Sequence, residues 1–195
     1  MQLVLASTSI ARRALLAGVG LEHEALAPGI DEAAAKARLG DIPGDALAAA
    51  LADLKALACA RLRPGALVIG ADQTLACDGA LFDKPVDMAE ARAHLLRLRG
   101  RTHTLHAAIS IARDDRVIWR HLTAAHLTMR PFSDAFLDHY MALCGETLTT
   151  SVGAYRLEGP GPQLFERIEG DYFTILGLPL LPLLDFLRGA GVARN

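Results

Sequence analysis

The sequence predicts an α/β fold, a mixed β-sheet with helices on its faces, and three observations carry that prediction. Short apolar runs such as Leu3–Ala6 and Ala66–Ala71 read as buried strands. Helix-forming stretches alternate with them, but without a strict strand-helix-strand rhythm. Asp78-Gly79 and Asp114-Asp115 join extended runs directly, as hairpin turns do, so the sheet is not all parallel. At 195 residues the chain has room for a substantial core in one large domain or two small lobes.

The elements follow in order. Leu3–Ala6 is a buried strand that stops at the hydroxyls of Ser7, Thr8 and Ser9. A helix follows over Arg12–Gly18, with glycine as its end signal. His23–Ala27 reads as a short strand, and Gly29-Ile30-Asp31-Glu32 as a turn into a polar segment. Pro43–Leu62 is rich in alanine and leucine, with Asp45 near its start and Arg61 and Arg63 near its end, so it is a long helix closed by Pro64-Gly65. Ala66–Ala71 is a strand, and Thr74–Cys77 continues extended after Asp72. Asp87 caps a helix to Leu98 that ends at Gly100. Thr102–Ile111 and Val117–Met129 are strands, and Ser133 caps a helix to Leu143. Glycine-rich loops, a strand near Leu164–Glu169 and a final helix over Leu181–Arg188 complete the chain.

Composition excludes several classes. With 20 basic and 22 acidic residues the chain lacks the basic excess of a general nucleic-acid binder. No stretch is long and apolar enough to span a bilayer, because the run from Thr174 to Leu184 is broken by Gly177, Pro179 and Pro182. Arg12 and Arg13 interrupt the first apolar run, which argues against a signal peptide. Cys59, Cys77 and Cys144 are scattered and form no C-x-x-C pair, so a reducing cytoplasm is the simplest setting.

Three constellations carry chemistry. The first is the turn after Leu3–Ala6, where hydroxyls, backbone N–H groups and a helix N-terminus meet Arg12 and Arg13. Cations there oppose the helix dipole unless an anion joins them, so the turn reads as a phosphate cradle; a capped surface helix with solvated arginines is the plain alternative. Neither G-x-x-x-x-G-K-[ST] nor G-x-G-x-x-G occurs. The second is Gly70-Ala71-Asp72-Gln73, an acid at the carboxyl end of a buried strand, where α/β sheets favour ligands. Asp72 there can hold a divalent metal or act as general base toward water, or simply cap a turn. The third is Gly153–Gly161, a glycine-rich loop whose Glu158 can accept paired N–H donors from a base edge, or is simply a solvated loop glutamate.

Lysine is scarce, with only Lys36, Lys55 and Lys84 present. Lys84, fixed beside Pro85, suits phosphate neutralisation, although an ordinary surface lysine is the commoner case. Lys55 sits inside the alanine-rich helix, where a solvated face is the default. Asp31 and Glu32 are a capping pair or a source of metal oxygens. His103 and His106 point to opposite faces of their strand and form no metal pair. Ser7 and Ser9 lack a histidine partner, and G-x-S-x-G and H-E-x-x-H are absent.

These segments together resemble the Maf family. The resemblance rests on Ala6-Ser7-x-Ser9, Arg12-Arg13 and Leu15-Leu16, then Ile30-Asp31-Glu32, Gly70-Ala71-Asp72, Lys84-Pro85, and Gly100 with His103. It continues through Gly153-Ala154-Tyr155, Gly159, Gly161 and Gly177-Leu178-Pro179-Leu180, in order along nearly the whole chain. It implies one Maf-like domain over residues 1–195, an α/β body with an elongated mixed sheet and two lobes around a central cleft, like the inosine triphosphate pyrophosphatases. The implied activity is hydrolysis of a nucleoside triphosphate between its α- and β-phosphates, giving a nucleoside monophosphate and pyrophosphate. A divalent cation such as Mg²⁺ or Mn²⁺ is implied, as are a homodimer and a cytoplasmic setting.

Carried over by position, Ser7, Arg12 and Arg13 would hold the triphosphate, and Asp72 would accept the proton of the attacking water. Glu32 and Asp72 would bind metal, and Lys55 and Lys84 would lie near the phosphates. Many family members have Pro-Arg-Arg where this chain has Ile10-Ala11-Arg12, which leaves Arg13 extra. The dTTP- and UTP-hydrolysing branch typically has Asp-Thr and a later Gln. Here Asp72-Gln73, Glu158 and Leu164-Phe165-Glu166-Arg167 are similar to the branch acting on 7-methyl-GTP. That branch often carries an aromatic residue where Ala11 stands. The alternatives are a dTTP/UTP pyrophosphatase, or a nucleotide-sensing regulator of septum formation without turnover.

Overall fold

Seven strands form a mixed sheet in the order β2-β1-β3-β5-β6-β7, with β4 paired to β3. The computed structural model describes residues 2–194. The strands are β1 (Leu3–Ala6), β2 (Glu24–Ala25), β3 (Leu67–Cys77), β4 (Ala80–Phe82), β5 (Thr102–Arg113), β6 (Arg116–Met129) and β7 (Phe165–Glu169). The helices are α1 (Ile10–Gly18), α2 (Glu32–Leu39), α3 (Gly44–Ala60), α4 (Met88–Leu98), α5 (Asp134–Cys144), α6 (Tyr172–Ile175) and α7 (Leu180–Gly189). β1 runs parallel to β2 and β3, whereas β4 and β7 pair antiparallel with β3 and β6. The expected mixed sheet with helices is present.

By contact the chain divides into two compact units. The first takes the chain through Gln73, the segment His106–Thr123 and the chain from Asp171 on; the second takes Thr74–Leu105 and Ala124–Gly170. β3, β5 and β6 each contribute residues to both.

In the first unit the strand period of two sorts side chains onto two faces. Leu3 and Leu5 of β1 with Leu67, Ile69 and Ala71 of β3 pack against Leu16 of α1 and against Leu180, Leu183 and Leu187 of α7. Val4, Ala6 and Val68 pack on the opposite face with Ala56, Cys59 and Ala60 of α3. Continuing that alternation, residues 70 and 72 share the α3 face, and 71 and 73 the face covered by α1 and α7. In the second unit the buried side chains include Phe82, Leu95, Leu98, Leu105, Leu127, Tyr140 and Tyr155. Cys59, Cys77 and Cys144 are free thiols. Among the described residues no helix is long and apolar enough to cross a membrane.

Several boundaries differ from the sequence expectation. α1 begins at Ile10, because the Ser9 hydroxyl caps it and accepts from the Arg12 amide at 3.4 Å. The polar segment after Asp31 is a helix, α2, capped by Asp31 through the Ala34 amide at 2.9 Å. β3 passes through Asp72 and Gln73 without a break, because both polar side chains find partners. α6 is a single turn capped by Asp171, in a segment for which the sequence suggests no helix.

Candidate functional site

The first unit gathers five of the sequence-predicted residues: Arg12, Glu32, Lys55, Asp72 and Gln73. Lys55 is 7 % exposed, not on the solvated helix face expected of it. The reason is helical spacing: Leu51, Ala52, Lys55, Ala56 and Cys59 form one buried stripe on α3. Gly70 lets that stripe approach β3 closely. A Cβ on Gly70 would lie 2.2 Å from the Ala52 carbonyl oxygen and 2.6 Å from the Ala56 nitrogen. One pleat further along the same face stands Asp72, 6 % exposed. Lys55 Nζ donates to Asp72 Oδ1 at 2.6 Å and pairs with Glu32 Oε1 at 2.9 Å. Two carboxylates from different elements therefore converge on one buried ammonium. The Asp31-Glu32 pair divides its work: Asp31 caps α2, and Glu32, from the same first turn, turns to Lys55.

Arg12 enters from α1, half-buried. Its Nε donates to the Gly177 carbonyl at 2.8 Å and its Nη1 to the Ala71 carbonyl at 2.9 Å. Burial pushes the guanidinium's pKa down, and the fields of Asp72 and Glu32 hold it up. Burial pushes the Asp72 carboxyl up from its ordinary value, and Lys55 and Arg12 pull it back. The charges are thus mutually dependent. Gln73 lies on the opposite face of β3 from Asp72, and its Nε2 donates to the Thr174 carbonyl at 2.9 Å and the Ile175 carbonyl at 3.1 Å.

The remaining first-unit candidates surround the end of β1. Ala6 pairs with Gly70, so Ser7 and Ala71 follow at the same end of the sheet. Ser7 is buried, and its hydroxyl accepts from the Ser9 amide at 3.1 Å. Ala11 is half-buried and Arg13 exposed on α1.

Lys84 and Glu158 belong to the second unit. Lys84 is exposed next to the buried Pro85. Glu158 is exposed in the glycine-rich loop, where its Oε1 accepts from Arg156 Nε and Nη2, each at 3.0 Å. The Arg156 carbonyl in turn accepts from the Gly159 and Gly161 amides, which folds the loop back on itself. His103 is buried in this unit beside Tyr155, with its Nε2 2.8 Å from the phenol oxygen.

The donor set fits a hard divalent cation. Mg²⁺ is usually held by one or two carboxylates, with waters and substrate phosphates completing its shell. Glu32 and Asp72 already converge on one cation, the Lys55 ammonium. Among the described residues no cluster of three or more His, Cys, Asp or Glu adds a closed all-protein cage.

Sequence reasoning missed the backbone carbonyls of Ala71, Thr174, Ile175 and Gly177, which hold Arg12 and Gln73. Carbonyls leave no trace in residue identity; the Gly177-Leu178-Pro179 spelling was the only local signal.

A family model described as Maf-like protein matches residues 2–190. A protein of Caulobacter vibrioides named nucleoside triphosphate pyrophosphatase is 57% identical over 186 residues, covering 94% of this chain and 93% of the relative. One of the same name from Hyphomonas neptunium is 54% identical over 186 residues, with 94% and 93% covered. A protein of Rhizobium meliloti named 7-methyl-GTP pyrophosphatase is 55% identical over 192 residues, covering 97% and 96%.

Proposed function

The chain belongs to the Maf family, and from that premise we propose that it hydrolyses a nucleoside triphosphate between the α- and β-phosphates, with a 7-methyl-GTP-like nucleotide favoured. Its relatives are named pyrophosphatases, and a pyrophosphatase is a hydrolase acting on acid anhydrides. The observation that carries the reading is the buried Lys55 ammonium holding Asp72 and Glu32 at 2.6 and 2.9 Å, beside Arg12.

Phosphoryl chemistry asks the protein mainly for position and charge neutralisation. Asp72 takes the proton of the attacking water. Burial raises the carboxyl's pKa and so makes the carboxylate a better base, while Lys55 and Arg12 oppose that rise. Arg12 and the Ser7 hydroxyl bind phosphate oxygens, with Arg13 flanking them, and Lys84 adds a further positive charge. Glu32 and Asp72 would hold a Mg²⁺ or Mn²⁺ ion, which when bound supplies Lewis-acid polarisation of the phosphates. Glu158 selects the base: guanine presents N1–H and an amino group side by side, two donors suited to a carboxylate.

A panel of nucleoside triphosphates with Mg²⁺ or Mn²⁺, read by pyrophosphate release, tests the reading. Guanine nucleotides are expected to lead, and Glu158→Gln to lose that lead. A preference for dTTP or UTP would overturn the substrate assignment, and orthophosphate as first product would overturn α–β cleavage. Asp72→Asn is expected to lower turnover by about 10²–10⁴-fold while nucleotide binding persists. Binding without turnover in the unaltered protein would favour the nucleotide-sensing regulator instead.

A further inference from the structure

Helix α7 carries two stripes. Leu180, Leu183 and Leu187 enter the core. Beside them Pro182, Asp185, Phe186, Gly189 and Ala190 recur at helical spacing, and with Trp119 of β6 they line a groove of about 620 Å³. That volume falls within the roughly 300–1,000 Å³ of small-molecule sites. All six residues belong to the first unit. The groove lies on the face of the sheet that α7 covers, whereas Lys55 and Asp72 lie on the α3 face. Gly189 is the last residue of α7, and a Cβ there would meet nothing within 4 Å, so the space beside it is open.

The walls of the groove have a definite chemistry. Trp119 and Phe186 stack with ring centroids 5.1 Å apart and 28° between their planes, which makes a broad aromatic wall. Asp185 is exposed, and among the described residues its carboxylate takes no hydrogen bond or ion pair. The last carbonyls of α7, at Gly189 and Ala190, add the negative end of the helix dipole. Arg188 stands in the same turn but off this stripe, outside the lining. Aromatic faces beside a carboxylate attract a flat cation and repel a triphosphate. We propose that this groove binds a planar aromatic cation, a nitrogen heterocycle quaternised by alkylation, stacked on Trp119 and Phe186 with its charge answered by Asp185. Two sources share that chemistry: an oxidised nicotinamide ring and an N7-methylated purine base. The site is separate from the hydrolytic one and stands whether or not the hydrolysis reading holds.

Trp119 is the only tryptophan of the chain, so its fluorescence reports on the groove directly. The probes are 1-methylnicotinamide and 7-methylguanosine, which carry the charge, with nicotinamide and guanosine as their neutral counterparts. Titration of the full chain with a cation is expected to quench Trp119 along a saturating curve, with an affinity about 3–30-fold above that of the neutral counterpart. The cation that binds more tightly identifies the source. Asp185→Asn should erase the preference for charge. Gly189→Leu fills the open space and should abolish the saturable quench. The two variants act on charge and on shape separately, so the test survives if one fails to fold. Glu158→Gln removes the base contact proposed for the hydrolytic site and should leave the quench unchanged. Equal affinity for charged and neutral rings, a quench that does not saturate, or one that Gly189→Leu leaves in place would overturn the proposal. A quench lost in Glu158→Gln would overturn it too, because it would report the hydrolytic site. Pyrophosphate release does not enter this readout, so failure of the hydrolysis reading and failure of this one are told apart.

Discussion

Lys55 carries a full charge into a helix face that is otherwise alanine, leucine and cysteine. It is tolerated there because Asp72 answers it inside the protein and Glu32, about half-exposed, answers it from the rim. Removing one member of a buried pair leaves the other uncompensated, so Lys55→Met is expected to cost about 3–5 kcal/mol. Adding Asp72→Asn to that variant should recover part of the loss, because the orphaned charge goes with it; urea unfolding of the three variants measures this. Much of the pair was legible in the sequence. Asp72 stood out as an acid at a strand end, and Lys55 by its rarity. The partnership was not legible, because it depends on which face of α3 meets the sheet. The spacing of Leu51, Ala52, Lys55, Ala56 and Cys59 contained that answer, but a lysine in an alanine-rich helix reads as solvated until the sheet is present.

At the scale of elements, the contact between α3 and β3 sets the site. A methyl group on Gly70 would meet backbone, which cannot swing aside. Gly70→Ala is expected to destabilise by at least the usual 1–3 kcal/mol of overpacking, roughly, and to lower turnover by parting Lys55 from Asp72. The same change at Gly18, where nothing lies within 4 Å, should be neutral or stabilising. Thermal unfolding of both variants provides the comparison. Long elements with a clear period, such as α3, α4, β5 and β6, were legible to within a residue or two. α2 was not, because Glu-Ala-Ala-Ala-Lys-Ala-Arg-Leu has helix propensity but buries only Ala35 and shows no apolar stripe. α6 is too short to have a period at all. β3 read as two pieces because a polar pair in a buried strand is interpretable only once its partners are known.

For the whole molecule, acid stability is the property most open to test. His103 is buried with its Nδ1 unpartnered among the described residues, and burial pulls its pKa down from 6.5 to about 4. The folded state resists the proton that the unfolded chain accepts below its own pKa. Stability is therefore complete above about 6.5 and is lost as pH falls toward about 4, by about 3 kcal/mol in the limit. His103→Gln offers Tyr155 a hydrogen-bonding group but does not titrate, so its unfolding free energy should decline less over that window. The chain passes back and forth between two compact units, which contacts reveal and residue identity does not. The meeting of Gly70 with Ala52 and Ala56 has one more consequence, for how such an enzyme can change. The two nearest atoms there are backbone, the Ala52 carbonyl oxygen and the Ala56 nitrogen, so no substitution of a neighbour makes room for a larger side chain. Drift at this seam is closed in one direction, and new substrates or rates must be acquired through the ionic and loop residues, with the spacing of helix and strand left as it is.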